Sequence, residues 1–214
     1  MNQLLSKTFL WMFVGLIVTF LTGYIVSINE NMLLSIFGGP LFWLIIILEF
    51  ALVIYFSARV HKMKPITAKI CFLLYSFVSG LTFSSVFVGF EISSVMYVFL
   101  IAAVVFAIFG AIGYFVNVDL NRISTFLIMG LLAIIICSFV NLFLANTTFD
   151  LIVSIIALII FFGFTAYDIQ KVKILSNAGM NNDVVAINGA FELYLDFILS
   201  LIHISEPTRL DVIA

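Results

Sequence analysis

Two aspartates lie inside apolar stretches of the sequence. Asp168 follows the apolar run from Leu151 to Ala166, and Asp196 lies in GAFELYLDFI, Gly189–Ile198. A carboxylate that deep in such a stretch is costly to bury, so it indicates a functional site. If two consecutive antiparallel helices bring the pair together, both cannot ionise cheaply in a medium of low dielectric constant. They would then hold one proton between them and titrate as a unit.

A simpler interpretation exists for Asp168. Its carboxylate could sit near a helix end and be satisfied by Lys171 or by water. An anion near a helix C-terminus meets the negative end of the helix dipole, which disfavours this interpretation unless a positive charge or a shared proton offsets it. For Asp196 the alternative is costly exposure to lipid, since it lies about 15 Å into its predicted helix at about 1.5 Å per residue.

Three further charged residues accompany the aspartates. Glu192 lies one helical turn before Asp196 on the same face. Glu49 lies in the middle of another apolar stretch, about 80° around the helix from Arg59. It could line the same cavity or pair elsewhere in the bundle. Arg59 ends that stretch, where it could pair with Asp168 or serve only as a cationic anchor at the membrane surface.

Composition predicts an integral membrane protein. Of the 214 residues, 64% are hydrophobic and only 9% are charged, whereas a soluble domain carries about 25% charged residues. We therefore expect a lipid bilayer around one compact domain, residues 1–198. The chain has no nucleophile elbow, zinc-protease motif or phosphate-binding loop, so we predict no enzyme, no cofactor, no tightly bound metal and no nucleic-acid partner.

The hydropathy pattern predicts an all-α bundle of seven transmembrane helices. Their expected ranges are Thr8–Ile28, Pro40–Ala58, Ala68–Phe90, Ser93–Val116, Ile123–Leu144, Phe149–Lys171 and Val185 onward, with a loop at Asn29–Gly39. Every lysine and arginine up to residue 198 falls in the N-terminus or in loops 2–3, 4–5 and 6–7. By the positive-inside rule the N-terminus is expected in the cytoplasm and the C-terminus outside.

The end of the chain has a different character. The string LSLIHISEPTR, Leu199–Arg209, matches the conceptual translation of a transposase-type sequencing adapter. We therefore expect residues 199–214 to be a non-native, adapter-derived tail, and its polar residues receive no functional interpretation.

The motifs resemble those of the Bax-inhibitor-motif membrane proteins. The resemblance rests on AYDIQKVK, ELYLDFI, the SGLTFSS of the third helix and ARVHKMKPITAKI, Ala58–Ile70. It implies six helices around a central seventh, in the bacterial inner membrane, and a calcium-leak activity. It also implies a di-aspartyl pH sensor at Asp168 and Asp196, where calcium could bind transiently, and an arginine latch at Arg59.

The leading functional hypothesis is thus a pH-gated cation leak that carries calcium, since carboxylates suit this hard cation. A second hypothesis is a regulator that binds and restrains a membrane protease or a stress-response partner. A third, a proton-coupled transporter, would be favoured by inverted repeats or broken helices, and the sequence shows neither.

Overall fold

The described part of the chain is entirely helical. The computed structural model describes residues 2–90, 92–115 and 121–208, and these residues form eight α-helices, one short 3-10 helix at Val60–Lys62 and no strand. The α-helices are α1 (Asn2–Ser27), α2 (Glu30–Phe37), α3 (Leu41–Arg59), α4 (Pro65–Gly89), α5 (Ile92–Phe115), α6 (Asn121–Leu144), α7 (Thr147–Asn177) and α8 (Asn182–Thr208).

Seven of the described helices are long and apolar enough to cross a membrane, all except α2, which confirms the predicted number of spans. The predicted boundaries agree within a few residues, except that α1 begins at Asn2 instead of Thr8 and α7 continues to Asn177 instead of ending near Lys171. The predicted end of the fourth span at Val116 and the last residues of the tail, 209–214, lie outside the described residues. Because α8 runs through Thr208, it includes much of the segment from Leu199, whose non-native origin stays a prediction.

The prediction of a loop at Asn29–Gly39 was wrong, because this segment contains α2. The Asn29 side chain accepts a hydrogen bond from the backbone N–H of Met32 at 3.2 Å, and so caps the helix. Glu30 places a negative charge in the first turn, where the helix dipole favours it. Ile36 is buried against Val26 and its neighbours, which holds this eight-residue helix against the bundle.

The described helices form two compact units. The first comprises α1 to α4, the end of α7 from Val172 and the start of α8 up to Tyr194. Within it, α1 crosses α4 closely at Gly80, where an added Cβ would lie 2.8 Å from the backbone oxygen of Thr19. Small residues such as those of SGLTFSS permit such an approach, and Gly80 is the one at the crossing.

Aromatic rings fill the core of the first unit. The Phe191 ring on α8 lies 4.3 Å from Phe56 on α3 and 5.1 Å from Tyr75 on α4, measured between ring centroids. Tyr194 packs edge-on against Phe72 at 5.6 Å. These contacts fix the first half of α8 against α3 and α4.

The second unit comprises α5, α6, α7 up to Lys171 and α8 from Leu195, within the described residues. Gly113 on α5 lies so close to α7 that an added Cβ would be 2.7 Å from the Cα of Ala166. A cluster of buried apolar residues joins α6 and α7; its members are Leu127, Ile134, Val153, Ala157, Ile160 and Phe161.

Lipid-facing surfaces of the helices are apolar, as a bilayer requires. Trp43, Phe126 and Phe143 are each more than 60% exposed. Among the seven described spans, that of α8 is the most buried. In α8, 78% of an 18-residue apolar stretch is buried, against 11–50% for the corresponding stretches of the other six. This burial is what a central helix would have, while the arrangement of six helices around it stays a prediction.

Candidate functional site

Asp168 lies on α7, and the residue is only 6% exposed. The helix does not end near it, because α7 continues nine residues further to Asn177. Asp168 is therefore an interior helical position, and the helix stays intact past it through Lys173. Its neighbours along α7, Thr165 and Ile169, are also buried, so this face of the helix is directed into the protein.

Asp196 lies on α8, and the residue is 7% exposed. The next residue, Phe197, packs against two rings of α5, at 4.9 Å from Phe99 and 5.1 Å from Phe106. Phe106 in turn meets Phe162 of α7 edge-on at 6.2 Å. These rings cover the face of α8 that carries Phe197, next to the buried aspartate.

A ring contact indicates the register of α7 against α8 in the second unit. Phe161 on α7 stacks on His203 of α8, with 5.8 Å between the ring centroids. Phe161 precedes Asp168 by seven residues, and His203 follows Asp196 by seven. Seven residues are nearly two turns and return a helix to within about 20° of the same face. Phe161 therefore shares a face of α7 with Asp168, and His203 shares a face of α8 with Asp196, while the pairing of the two aspartates stays a prediction.

Glu192 and Arg59 belong to the first unit. Glu192 is half-buried, and its Oε1 accepts a hydrogen bond from the Asn188 side chain at 3.2 Å. Asn188, which was not predicted as a site residue, is 4% exposed and lies one turn earlier on α8. Arg59 is exposed at the last residue of α3, where the negative end of the helix dipole favours a cation. Its role as a latch and a place for Glu192 in a cavity stay predictions.

Glu49 is half-buried on α3 and also lies in the first unit. Its Oε2 accepts a hydrogen bond from the Thr82 hydroxyl of α4 at 3.1 Å. Of the two alternatives left open for Glu49, the structure shows a polar partner on a neighbouring helix of its own unit.

A buried hydrogen-bond network in the first unit was not predicted from the sequence. The hydroxyls of Thr19 and Tyr194 lie 2.6 Å apart, and Thr19 donates to the backbone oxygen of Ser76 at 2.9 Å. All three residues are at most 1% exposed. The signal available was the presence of serine and threonine in apolar helices, which does not by itself identify partners.

Two contacts bring basic segments to the same end of the first unit. The Lys7 ammonium of α1 lies 2.9 Å from a carboxylate oxygen of Asp183 at the start of α8. The Lys69 ammonium at the start of α4 lies 5.2 Å from the centre of the Trp11 ring on α1. The N-terminus and the loops before α4 and α8 therefore share one end, as the alternating charge pattern predicts.

Comparisons with known proteins extend this picture. A family model described as "Inhibitor of apoptosis-promoting Bax1" matches residues 1–206. The inner membrane protein YbhL of Escherichia coli is 32% identical over 91% of this chain and 86% of its own length. An uncharacterised protein of Borreliella burgdorferi is 35% identical over 92% and 87%, and an uncharacterised membrane protein of Streptococcus pyogenes is 29% identical over 95% and 92%.

These matches agree with the seven apolar spans, which make the chain an integral membrane protein. The two motifs that carry the buried aspartates both lie inside the residues that the family model matches. Because the family model covers nearly the whole chain, the protein belongs to the Bax inhibitor family of membrane proteins.

Proposed function

We propose that the protein is a pH-sensitive cation leak channel of the bacterial inner membrane, with calcium as the permeant ion and the N-terminus in the cytoplasm. Asp168 and Asp196 form its proton sensor, and Arg59 acts as the latch. No catalytic step and no resident cofactor are involved, and calcium is held only transiently at the aspartates.

The burial of both aspartates carries the proposal. Each is at most 7% exposed within a membrane-spanning helix, where an isolated charge is expensive. The ring contact between Phe161 and His203 supports a register that puts both at one level of α7 and α8. At that level, loss of a shared proton adds repulsion between two poorly solvated anions, which can bias two packings of the helices by a few kcal/mol.

Calcium flux into dye-loaded liposomes across a pH series tests the proposal. We expect the purified protein to pass calcium with a pH profile whose apparent pKa belongs to the pair of aspartates. Asp168→Asn and Asp196→Asn should each flatten that profile, and the double variant should add little, because the two carboxylates act as one unit. Arg59→Ala should shift or weaken the pH response without abolishing flux.

Asp150→Asn is the matched control, since Asp150 lies at the other end of α7, where the Asn141 side chain donates to it at 3.1 Å. This variant should keep the wild-type profile. A wild-type pH dependence in Asp196→Asn would remove the pair from the mechanism. Liposomes that contain the wild-type protein and pass no calcium at any pH would favour the other candidate, a membrane regulator that acts on a protease or stress-response partner.

A further inference from the structure

Glu49 is a carboxylate in a helix that is mostly directed at lipid. Only Ile45 and Phe56 of α3 are buried. Glu49 follows Leu41, the first residue of α3, by eight positions, which places it about 12 Å into the membrane-spanning helix. A carboxylate at this depth is expensive unless polar groups surround it, and such residues tend to mark ion or proton sites.

The groups around Glu49 are hydroxyls of α4. The Thr82 hydroxyl lies 3.1 Å from Oε2 and 2.9 Å from the backbone oxygen of Ser79, so its one proton is shared between these two acceptors. The hydroxyls of Ser79 and Tyr75 lie within hydrogen-bonding reach of the same carboxylate. Among the described residues, the side chains that hydrogen-bond to Glu49 are thus neutral hydroxyls. Asp183, in contrast, is paired with the cationic side chain of Lys7.

The hydroxyl cluster continues across the first unit to two more helices. The Ser79 hydroxyl also lies within hydrogen-bonding reach of the phenol of Tyr194 on α8, and Tyr194 is fully buried. The Tyr194 hydroxyl meets the hydroxyl of Thr19 on α1 at 2.6 Å. Four helices, α1, α3, α4 and α8, therefore contribute to a single group of polar side chains within the apolar interior.

A cavity of about 480 Å³ lies at the end of the first unit that carries α2, lined by residues of α1, α2 and α4. Its lining includes Thr22, which follows Thr19 by one turn, and Leu81, which directly precedes Thr82. Asn29, Asn31 and Ser35 give the cavity polar groups on the α2 side. Such a space can hold water, since it is large and has several polar partners.

We propose that Glu49 is a second proton-binding site of the protein, formed with Tyr75, Ser79 and Thr82 and separate from the aspartates. A hydroxyl both donates and accepts, so the three can stabilise a carboxylate by donating to it and a carboxylic acid by accepting from it. Reversible protonation needs this double ability, whereas a fixed cation would hold the carboxylate in its charged form. The proton is exchanged with water.

The other titratable groups that face the site are two phenols, Tyr75 from α4 and Tyr194 from α8. A phenol has an ordinary pKa of about 10 and stays protonated through the neutral range. The neighbouring group from α1 is the Thr19 hydroxyl, which does not titrate. Among these groups, Glu49 is therefore the one that can exchange a proton while both phenols stay protonated.

Infrared difference spectroscopy of the full chain in calcium-free liposomes tests this site. With isotope-labelled glutamate, a carbonyl band of protonated glutamate should appear on acidification and carry the isotope shift, which separates it from aspartate bands. Glu49→Gln should remove that band. Glu30→Gln, which changes an exposed carboxylate at the start of α2, should keep it. A spectrum of Glu49→Gln identical to the wild type would overturn the proposal.

A second pair of variants tests the role of the hydroxyls. In Thr82→Val the carboxylate loses a charge-assisted donor, so the protonated form gains and the midpoint of the glutamate band should move to higher pH. Ser85→Ala is the control, because the Ser85 hydroxyl bonds to the backbone of its own helix and is exposed. A wild-type midpoint in Thr82→Val would contradict the proposed site. Since neither measurement uses calcium or the aspartates, a failure here is distinct from a failure of the leak-channel proposal.

Discussion

At the scale of single residues, polar side chains of the first unit are paired across helices that are far apart in the sequence. Tyr194 and Thr19 are separated by 175 positions, yet their hydroxyls lie 2.6 Å apart. A buried hydroxyl without a partner is costly in an apolar medium, so such pairs help to specify which helices pack together. Interhelical hydrogen bonds in membrane proteins contribute about 0.6 kcal/mol on average and up to about 1.7 kcal/mol.

We expect Tyr194→Phe to lower the free energy of unfolding by about 1 kcal/mol. The variant removes the hydroxyl that contacts Thr19, while Thr19 keeps its bond to the backbone oxygen of Ser76, so the loss should be moderate. Tyr97→Phe is the matched control, since Tyr97 is 69% exposed. Unfolding in detergent would measure both variants, and equal stabilities would contradict an energetic role for this pair.

At the scale of elements, glycine decides how closely two helices approach. In the first unit, an added Cβ at Gly80 would lie 2.6 Å from the Cβ of Thr22 and 2.8 Å from the backbone oxygen of Thr19. A backbone atom cannot move aside as a flexible side chain can, so α1 and α4 would have to separate. Gly89 at the end of the same helix has no such neighbour within 4 Å.

Gly80→Ala is therefore expected to destabilise the protein by about 1–3 kcal/mol, the usual cost of overpacking. Gly89→Ala adds the same methyl group to the same helix and should change stability little. The midpoints of thermal unfolding in detergent measure the difference. A Gly80→Ala protein as stable as the Gly89→Ala protein would show that the close crossing of α1 and α4 is not required.

At the scale of the whole molecule, the distribution of charge orients the chain in the bilayer. Lysines and arginines up to residue 198 fall near the N-terminus, in alternate loops or in the helix ends beside those loops. Within the first unit, Lys7 and Lys69 make contacts at one end of the helices. The α2 helix lies at the opposite end of α1, and its described residues include no lysine or arginine.

We expect a cysteine introduced between Lys62 and Lys64 to be labelled from the cytoplasm, and one introduced at Gly39 to be labelled from outside. The physical reason is that basic loops are retained on the cytoplasmic side. Labelling of intact cells with a thiol reagent that does not cross membranes would separate the two positions. Cys71 and Cys137 should first be replaced, since both are free thiols. Labelling of both new cysteines from the same side would contradict the seven-span topology.

Seven spans, their approximate limits and the identity of the buried aspartates could be predicted from the sequence by itself. The reason is that in lipid every backbone polar group must bond within its own segment, so a long apolar stretch has one stable structure, a helix. Carboxylates in such stretches are rare enough to be recognised by residue type alone. Asp168 and Asp196 were found in this way, and the structure adds their burial.

Only the tertiary structure decided which polar groups meet. The short helix α2 depends on the Asn29 cap and on the packing of Ile36 against Val26, and its eight residues are too few for a clear periodic pattern. The partners of Glu49 and Tyr194 come from other helices, and their pairing depends on helix rotation and register. Hydropathy sets neither rotation nor register, because both follow from the packing of side chains between helices.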